Sequence, residues 1–214
     1  MSDVSRYLPL SQRKREDESG VTGDWRAPFG VTLGSLADTL ETLGPDGWDA
    51  PTTRPAISVR AVVGELAWRL TATRRDRAVA RLGRHDTSAA ERSDADVVAV
   101  LRSAAAADRR RRIGDLSDVM VAALDVRSAL AAAGLPHTIV TEPRALGAVA
   151  VARALSAPLP IRAVIAGVTL VATDGDWRVG RGPEREAAAS DIVLFLFGRL
   201  GVPGLPAGDY AGDE

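Results

Sequence analysis

From about Leu33 to Leu155 the apolar residues of this chain recur mostly at helical spacing. Leu33, Leu36, Ala37, Leu40 and Leu43 define a first helix that starts at Gly30 or Thr32 and stops at Gly44-Pro45. Ser58 is a good N-cap for a second helix, with Val59, Val62, Val63, Leu66 and Leu70 on its core face. The pattern carries that helix to about Leu82, before Gly83. Ser93 or Asp94 caps a third, running to about Ala107 with Val97, Val98, Leu101 and Ala105 inward. The fourth spans Gly114 to Gly134 and places Leu116, Val119, Met120, Ala123, Leu124, Leu130 and Ala131 on one face. Gly134 and Pro136 close it.

Beyond Gly134 the pattern changes. Thr141, with Pro143 in the first turn, starts a helix to about Leu155, and Pro158 and Pro160 mark a linker. Ile161–Thr173 is β-branched and apolar on both faces, as a covered strand requires. Asp174-Gly175 predicts a two-residue hairpin turn, with Trp177 and Val179 on one face of the return strand. Gly182-Pro183 ends that strand, and Ala187–Leu200 forms a last helix with Ile192, Val193, Leu196 and Leu200 inward. The pattern thus predicts a mainly α chain: a mobile arm over 1–27, a four-helix bundle over 28–135, a small α/β domain over 136–200 and a Pro/Gly tail over 201–214.

Composition narrows the classes. The 214 residues are 46% hydrophobic and 26% charged, ordinary values for a globular protein. A net charge of −1 leaves no electrostatic footprint for nucleic acid or an anionic membrane. Lys14 is the only lysine, a bias of the kind a GC-rich genome imposes, so the abundance of arginine does not by itself mark sites. Cysteine is absent, which excludes disulfides, Cys-ligated metal and a protein thiol nucleophile. Residues 1–20 have no apolar centre, and the longest apolar run, Ala163–Thr173, is far short of the roughly 20 residues a span needs. A cytoplasmic protein is expected.

Candidate chemistry concentrates on two helices. The fourth carries Asp118, Ala122, Asp125 and Ala129 opposite its core face, small residues spaced between carboxylates where a surface helix usually has Lys, Glu and Gln. The second carries a similar stripe of Ala61, Glu65, Trp68 and Ala72. Two such stripes suit the walls of one cleft. Arg127 sits on the apolar face of the fourth helix, and either a structural ion pair or an anchor for a ligand carboxylate accounts for it. Arg109–Arg112 reads as a solvated loop, with anion binding as the other reading. His85 and His137 both fall in loops, and Trp25, Trp48, Trp68 and Trp177 read as packing residues. Phosphate-loop, zinc-protease, nucleophile-elbow and dinucleotide motifs do not occur.

Three segments in order resemble one family. Trp48-Asp49-Ala50-Pro51-Thr52, followed by Ser58-Val59-Arg60 and Val62-Val63-Gly64-Glu65-Leu66-Ala67, resembles the "WxxPT…WTVRDVVAHLA" segment of mycothiol-dependent maleylpyruvate isomerase-like proteins. Asp118 to Arg127 (DVMVAALDVR) is similar to that family's "ExxxHxxDIR" helix. Asp176 to Glu184 (DWRVGRGPE), with Asp191 to Arg199 (DIVLFLFGR), is similar to its C-terminal "DWxVGxGPE…LLLLLxGR" motif. The resemblance covers roughly Pro45 to Arg199.

The resemblance implies a DinB-like four-helix bundle with a small C-terminal α/β domain, often dimeric. It also implies a divalent metal held by two His and one Glu, which would activate the thiol of mycothiol. In this chain Glu65 and Ala122 stand at the histidine positions and Asp118 at the glutamate position, while Arg54 and Ile57 replace a Cys and a Trp. Two carboxylates without imidazole hold Zn²⁺ weakly, and a methyl group supplies no ligand. The expectation is therefore a non-catalytic relative that binds a small molecule or a protein partner in the inter-helix cleft, through Glu65, Trp68, Asp118, Asp125 and Arg127. The alternative is a thiol-dependent isomerase or transferase with a remodelled carboxylate metal site.

Overall fold

A computed structural model describes residues 23–73, 75–76 and 92–204. Before the connection to the C-terminal half, the described residues include α1 (Arg26–Glu41), α2 (Pro45–Trp48), α3 (Val59–Thr71), α4 (Asp94–Ala106) and α5 (Ile113–Ala132). Then follow α6 (Pro143–Ser156), α7 (Leu159–Gly167), β1 (Thr169–Ala172), β2 (Arg178–Gly180), β3 (Glu184–Ala187) and α8 (Ala189–Leu196). The chain is mainly helical with one small three-stranded sheet. Among the described residues no single helix is long and apolar enough to cross a membrane.

The helices form where their caps and periodicity dictate. Ser58 accepts the Ala61 amide at the start of α3, and Ser93 accepts the Asp96 amide at the start of α4. At the end of α5 the Gly134 amide donates to Ala131 and the Leu135 amide to Leu130, a Schellman ending that satisfies the last carbonyls. Helices α1 and α3 each pack against both α4 and α5. Helix α5 also carries α6 and α8 on its other sides. Leu116, Val119, Met120 and Leu124 are buried, and so are Val121, Val126 and Ala129, so α5 is enclosed nearly all round. One contiguous apolar core runs from Trp25 through α5 to α8.

Several boundaries differ from expectation, each for a local reason. The end of the arm expected over 1–27 belongs to the fold instead: Trp25 is buried and α1 begins at Arg26, while residues 1–22 lie outside the described residues. Helix α3 stops at Thr71 rather than Leu82, because Ala72 turns extended and Thr73 opens a new capping box with Asp76. Residues 77–91, with His85, lie outside the described residues. The Asp108–Arg112 run is not wholly solvated. Arg111 is only 2% exposed, its guanidinium 3.9 Å from the Phe29 ring centroid and its Nη2 donating to the Ala104 carbonyl at 2.6 Å.

The first half of the Ile161–Thr173 segment is helix α7, and only its end is strand β1. Pro160 sits in the first turn of α7, where its missing N–H costs nothing, so the prolines begin a helix instead of marking a linker. Strands β1 and β2 pair antiparallel as expected, but residues 173–176 all belong to the turn, since the Ala172 amide donates to the Trp177 carbonyl. Strand β3 was not expected. It pairs parallel to the other edge of β1, in the order β2-β1-β3.

Residues 181–183 therefore cross the start of β1. There Arg181 N donates to Ile165 O, Thr169 N to Pro183 O and Thr169 Oγ1 to Gly182 O. Gly182 has φ +112°, and a Cβ on it would lie 2.3 Å from the Gly167 carbonyl oxygen, so the crossing requires glycine. Trp177 packs as expected: its ring covers Gly147 of α6 and its Nε1 donates to the Pro143 carbonyl at 2.9 Å.

Candidate functional site

Helices α3 and α5 lie against each other and leave between them a cleft of about 250 Å³. From α3, Val62, Glu65, Leu66 and Arg69 line it; from α5, Ser117, Asp118, Val121, Ala122 and Asp125. Its other walls are Arg54 from the loop before α3, Arg153 from α6, and Phe197 and Arg199 from the turn after α8. Glu65 and Arg69 share a face because they are one helical turn apart, and Asp118, Ala122 and Asp125 fall in one stripe for the same reason.

Two loops complete the lining. The loop before α3 is closed by the Pro51–Ser58 bridge and by Thr52, whose amide and hydroxyl both donate to the Ile57 carbonyl. This aims Thr53 and Arg54 at α5 and α3. The turn after α8 is a second Schellman ending, with Gly198 at φ +69° and the Arg199 amide donating to Leu194. Glycine at that position reverses the chain and lets Phe197 and Arg199 reach the cleft from consecutive sides of the turn.

The charged side chains form two groups. Arg69 bridges the helices, with Nη2 at 2.6 Å from Glu65 Oε1 and Nη1 at 2.7 Å from Asp118 Oδ1. Arg54 Nη1 takes the other Glu65 oxygen at 3.1 Å. Burial would push the Glu65 carboxyl up, but hydrogen bonds from Arg69 and Arg54 overcome it and hold the group below its usual range. Asp118 has only one of these arginines. Burial dominates there, Asp115 and Glu65 add to it, and the carboxyl is raised despite Arg69.

Asp125, only 1% exposed, anchors the second group. Thr53 Oγ1 donates to its Oδ1 at 3.2 Å, and Arg199 Nε stands 3.4 Å from its Oδ2 without a well-formed hydrogen bond. Burial raises this carboxyl against the pull of Arg199, Thr53 and Arg54. Arg153 has a different environment. Its Nε donates to the Leu196 carbonyl at 3.1 Å and its guanidinium lies 4.8 Å from the Phe197 ring centroid. Among the described residues no carboxylate is in salt-bridge range of it.

Of the residues singled out from the sequence, Glu65, Asp118 and Asp125 meet in this cleft, and Ala122 lies between the two aspartates. Trp68 and Arg127 do not line it. Trp68 is half-buried, off the cleft face of α3. Arg127 faces the start of α6, where Nη1 donates to Thr141 Oγ1 at 3.2 Å. Burial lowers its affinity for a proton, while Asp191 and Asp174 pull the other way. Helix α5 is covered on several sides, and Arg127 belongs to the side shared with the C-terminal elements. The sequence reading missed Arg69, Arg153, Phe197 and Arg199. Arg69 was within reach, since a basic residue four positions after Glu65 is a standard helical pair.

The donor set does not fit the implied metal. Glu65 and Asp118 are both engaged by Arg69, Ala122 offers a methyl group, and among the described residues no cluster of three His, Cys, Asp or Glu side chains could hold a cation. His137 is outside the cleft lining. The Ser117 hydroxyl, the one alcohol in the lining, donates to the Ile113 carbonyl at 2.7 Å rather than to a base. The cleft is thus a small, charged, partly apolar hollow fastened by arginine–carboxylate pairs. Comparison with family models, with curated proteins and with solved structures finds no match to this chain.

Proposed function

We propose that this chain is a binding protein, holding a small organic molecule in the cleft between α3 and α5 without catalysing its conversion. The observation that carries the reading is the 250 Å³ hollow itself, walled by side chains that fix one another. Pairs at half-exposed positions contribute about 0.2–1 kcal/mol each, so their main effect here is to order the walls. A preordered site loses less entropy on binding. Among the described lining residues the one alcohol, Ser117, is tied to a backbone carbonyl and there is no thiol or imidazole, which favours binding over turnover. On this reading the scaffold is a DinB-like four-helix bundle, as the sequence motifs suggest, in which Arg69 supplies a tethered positive charge between Glu65 and Asp118. Thiol-dependent isomerisation on a carboxylate-bound metal gains no support from this donor set.

Ala122 is the place to test the proposal, because its methyl group lies in the wall between Asp118 and Asp125. A ligand-observed NMR screen of fragment-sized molecules should yield binders to the native chain that Ala122→Trp loses, with an unchanged circular dichroism spectrum. Equal binding to both proteins would overturn the assignment to this cleft.

A further inference from the structure

The charges lining the cleft do not cancel. Among the described lining residues, Arg54, Arg69, Arg153 and Arg199 oppose Glu65, Asp118 and Asp125, an excess of one positive charge. The whole chain carries −1, so the excess is local and not a reflection of a basic protein. It also has a position. Glu65 and Asp118 engage Arg54 and Arg69, and Asp125 faces Arg199. Arg153 is left with a carbonyl and an aromatic ring.

Arg153 is arranged as an anion receptor. Its Nε is tied to Leu196 and its plane is backed by Phe197, which removes rotamer freedom in advance of binding. Its two Nη groups have no acceptor among the described residues. Nearby in the same lining, the Arg199 Nε is buried and lacks a hydrogen-bond acceptor. Planar guanidinium donors of this kind match the two oxygens of a carboxylate. Apart from Ser117, whose hydroxyl is turned to the Ile113 carbonyl, the remaining lining is apolar, from Val62, Leu66, Val121, Ala122 and Phe197.

Resting on the binding-protein reading above, we infer that the occupant is a compact monocarboxylate with an apolar body of about one ring, its carboxylate received by Arg153. Size and charge both set the class. The cleft, about 250 Å³, lies just below the roughly 300–1,000 Å³ of pockets for drug-sized ligands, which favours a compact molecule. One negative charge neutralises the excess at the α6 end. A phosphate monoester, carrying close to two, leaves an uncompensated charge in a partly desolvated site.

Calorimetric titration with benzoate, benzamide and phenyl phosphate tests this, using the native chain, Arg153→Gln, Arg153→Lys and Ala122→Trp. Benzoate should bind at least about tenfold more tightly than either other probe. Arg153→Gln should weaken benzoate by about tenfold or more while leaving benzamide unchanged, and Arg153→Lys should restore only part of the loss. Unchanged benzamide binding also reports that the Gln variant is folded. Benzamide matching benzoate, or phenyl phosphate exceeding it, with binding lost in Ala122→Trp, overturns the monocarboxylate and leaves the cleft reading standing. Benzoate binding that survives Ala122→Trp overturns the cleft reading itself. Absence of heat from all three probes overturns the inference.

Discussion

Glu65 and Asp125 stand in walls of the same cleft, yet their carboxyls shift in opposite directions. Glu65 has two arginines and is held below its ordinary 4.5; Asp125 is nearly sealed and is raised above its ordinary 3.8. The stability contributed by Glu65 is therefore present above about pH 4.5 and is lost as the pH falls through its lower folded value. That contributed by Asp125 is complete below 3.8 and is lost as the pH rises through its higher folded value. Urea unfolding from about pH 6 down to about pH 3 should show this directly. On the way down the native chain should lose stability relative to Glu65→Gln and gain stability relative to Asp125→Asn. Both carboxylates were legible from helical spacing, but the direction of each shift was not, because it depends on arginines that come from other elements. Arg111 makes the same point. Nothing within a run of four arginines distinguishes the one that Phe29 and the Ala104 carbonyl draw inward.

Helix starts with a clear cap were legible, as Ser58 of α3 and Ser93 of α4 illustrate, whereas the end of α3 was not, because the apolar spacing runs on past Thr71. Elements covered on more than one side were harder. Helix α7 and strand β1 share an apolar, β-branched run in which periodicity carries no signal, and only Pro160 in the first turn marks the helix. Strand β3 (EREA) is an edge strand without apolar alternation, invisible to a pattern search. Its existence depends on the crossing at residues 181–183. Gly182→Ala should destabilise the chain by about 3 kcal/mol or more, since both the backbone angle and the Gly167 carbonyl oppose a Cβ. Gly201→Ala, where a Cβ meets nothing within 4 Å, should change stability by less than about 0.5 kcal/mol in the same denaturant titration.

At the scale of the whole molecule, the cleft is a product of distant segments. Arg54 precedes α3, Arg153 lies on α6 and Arg199 follows α8, so the Arg153 end of the cleft forms only when the C-terminal elements dock on α5. The wall built from one stripe of α5 was readable from sequence; the wall contributed by the turn at Gly198 was not, because no local pattern states where a turn will be packed. Enclosure of α5 by α1, α3, α6 and α8 has a further consequence. Its central amides cannot meet solvent while any of these neighbours stays in place, so they should exchange with deuterium only through global unfolding. That makes the helix an internal gauge of affinity. With ligand at about a hundred times its Kd, exchange along Val119–Val126 should slow by about a hundredfold, while the exposed end of α1 near Glu41 keeps its original rate.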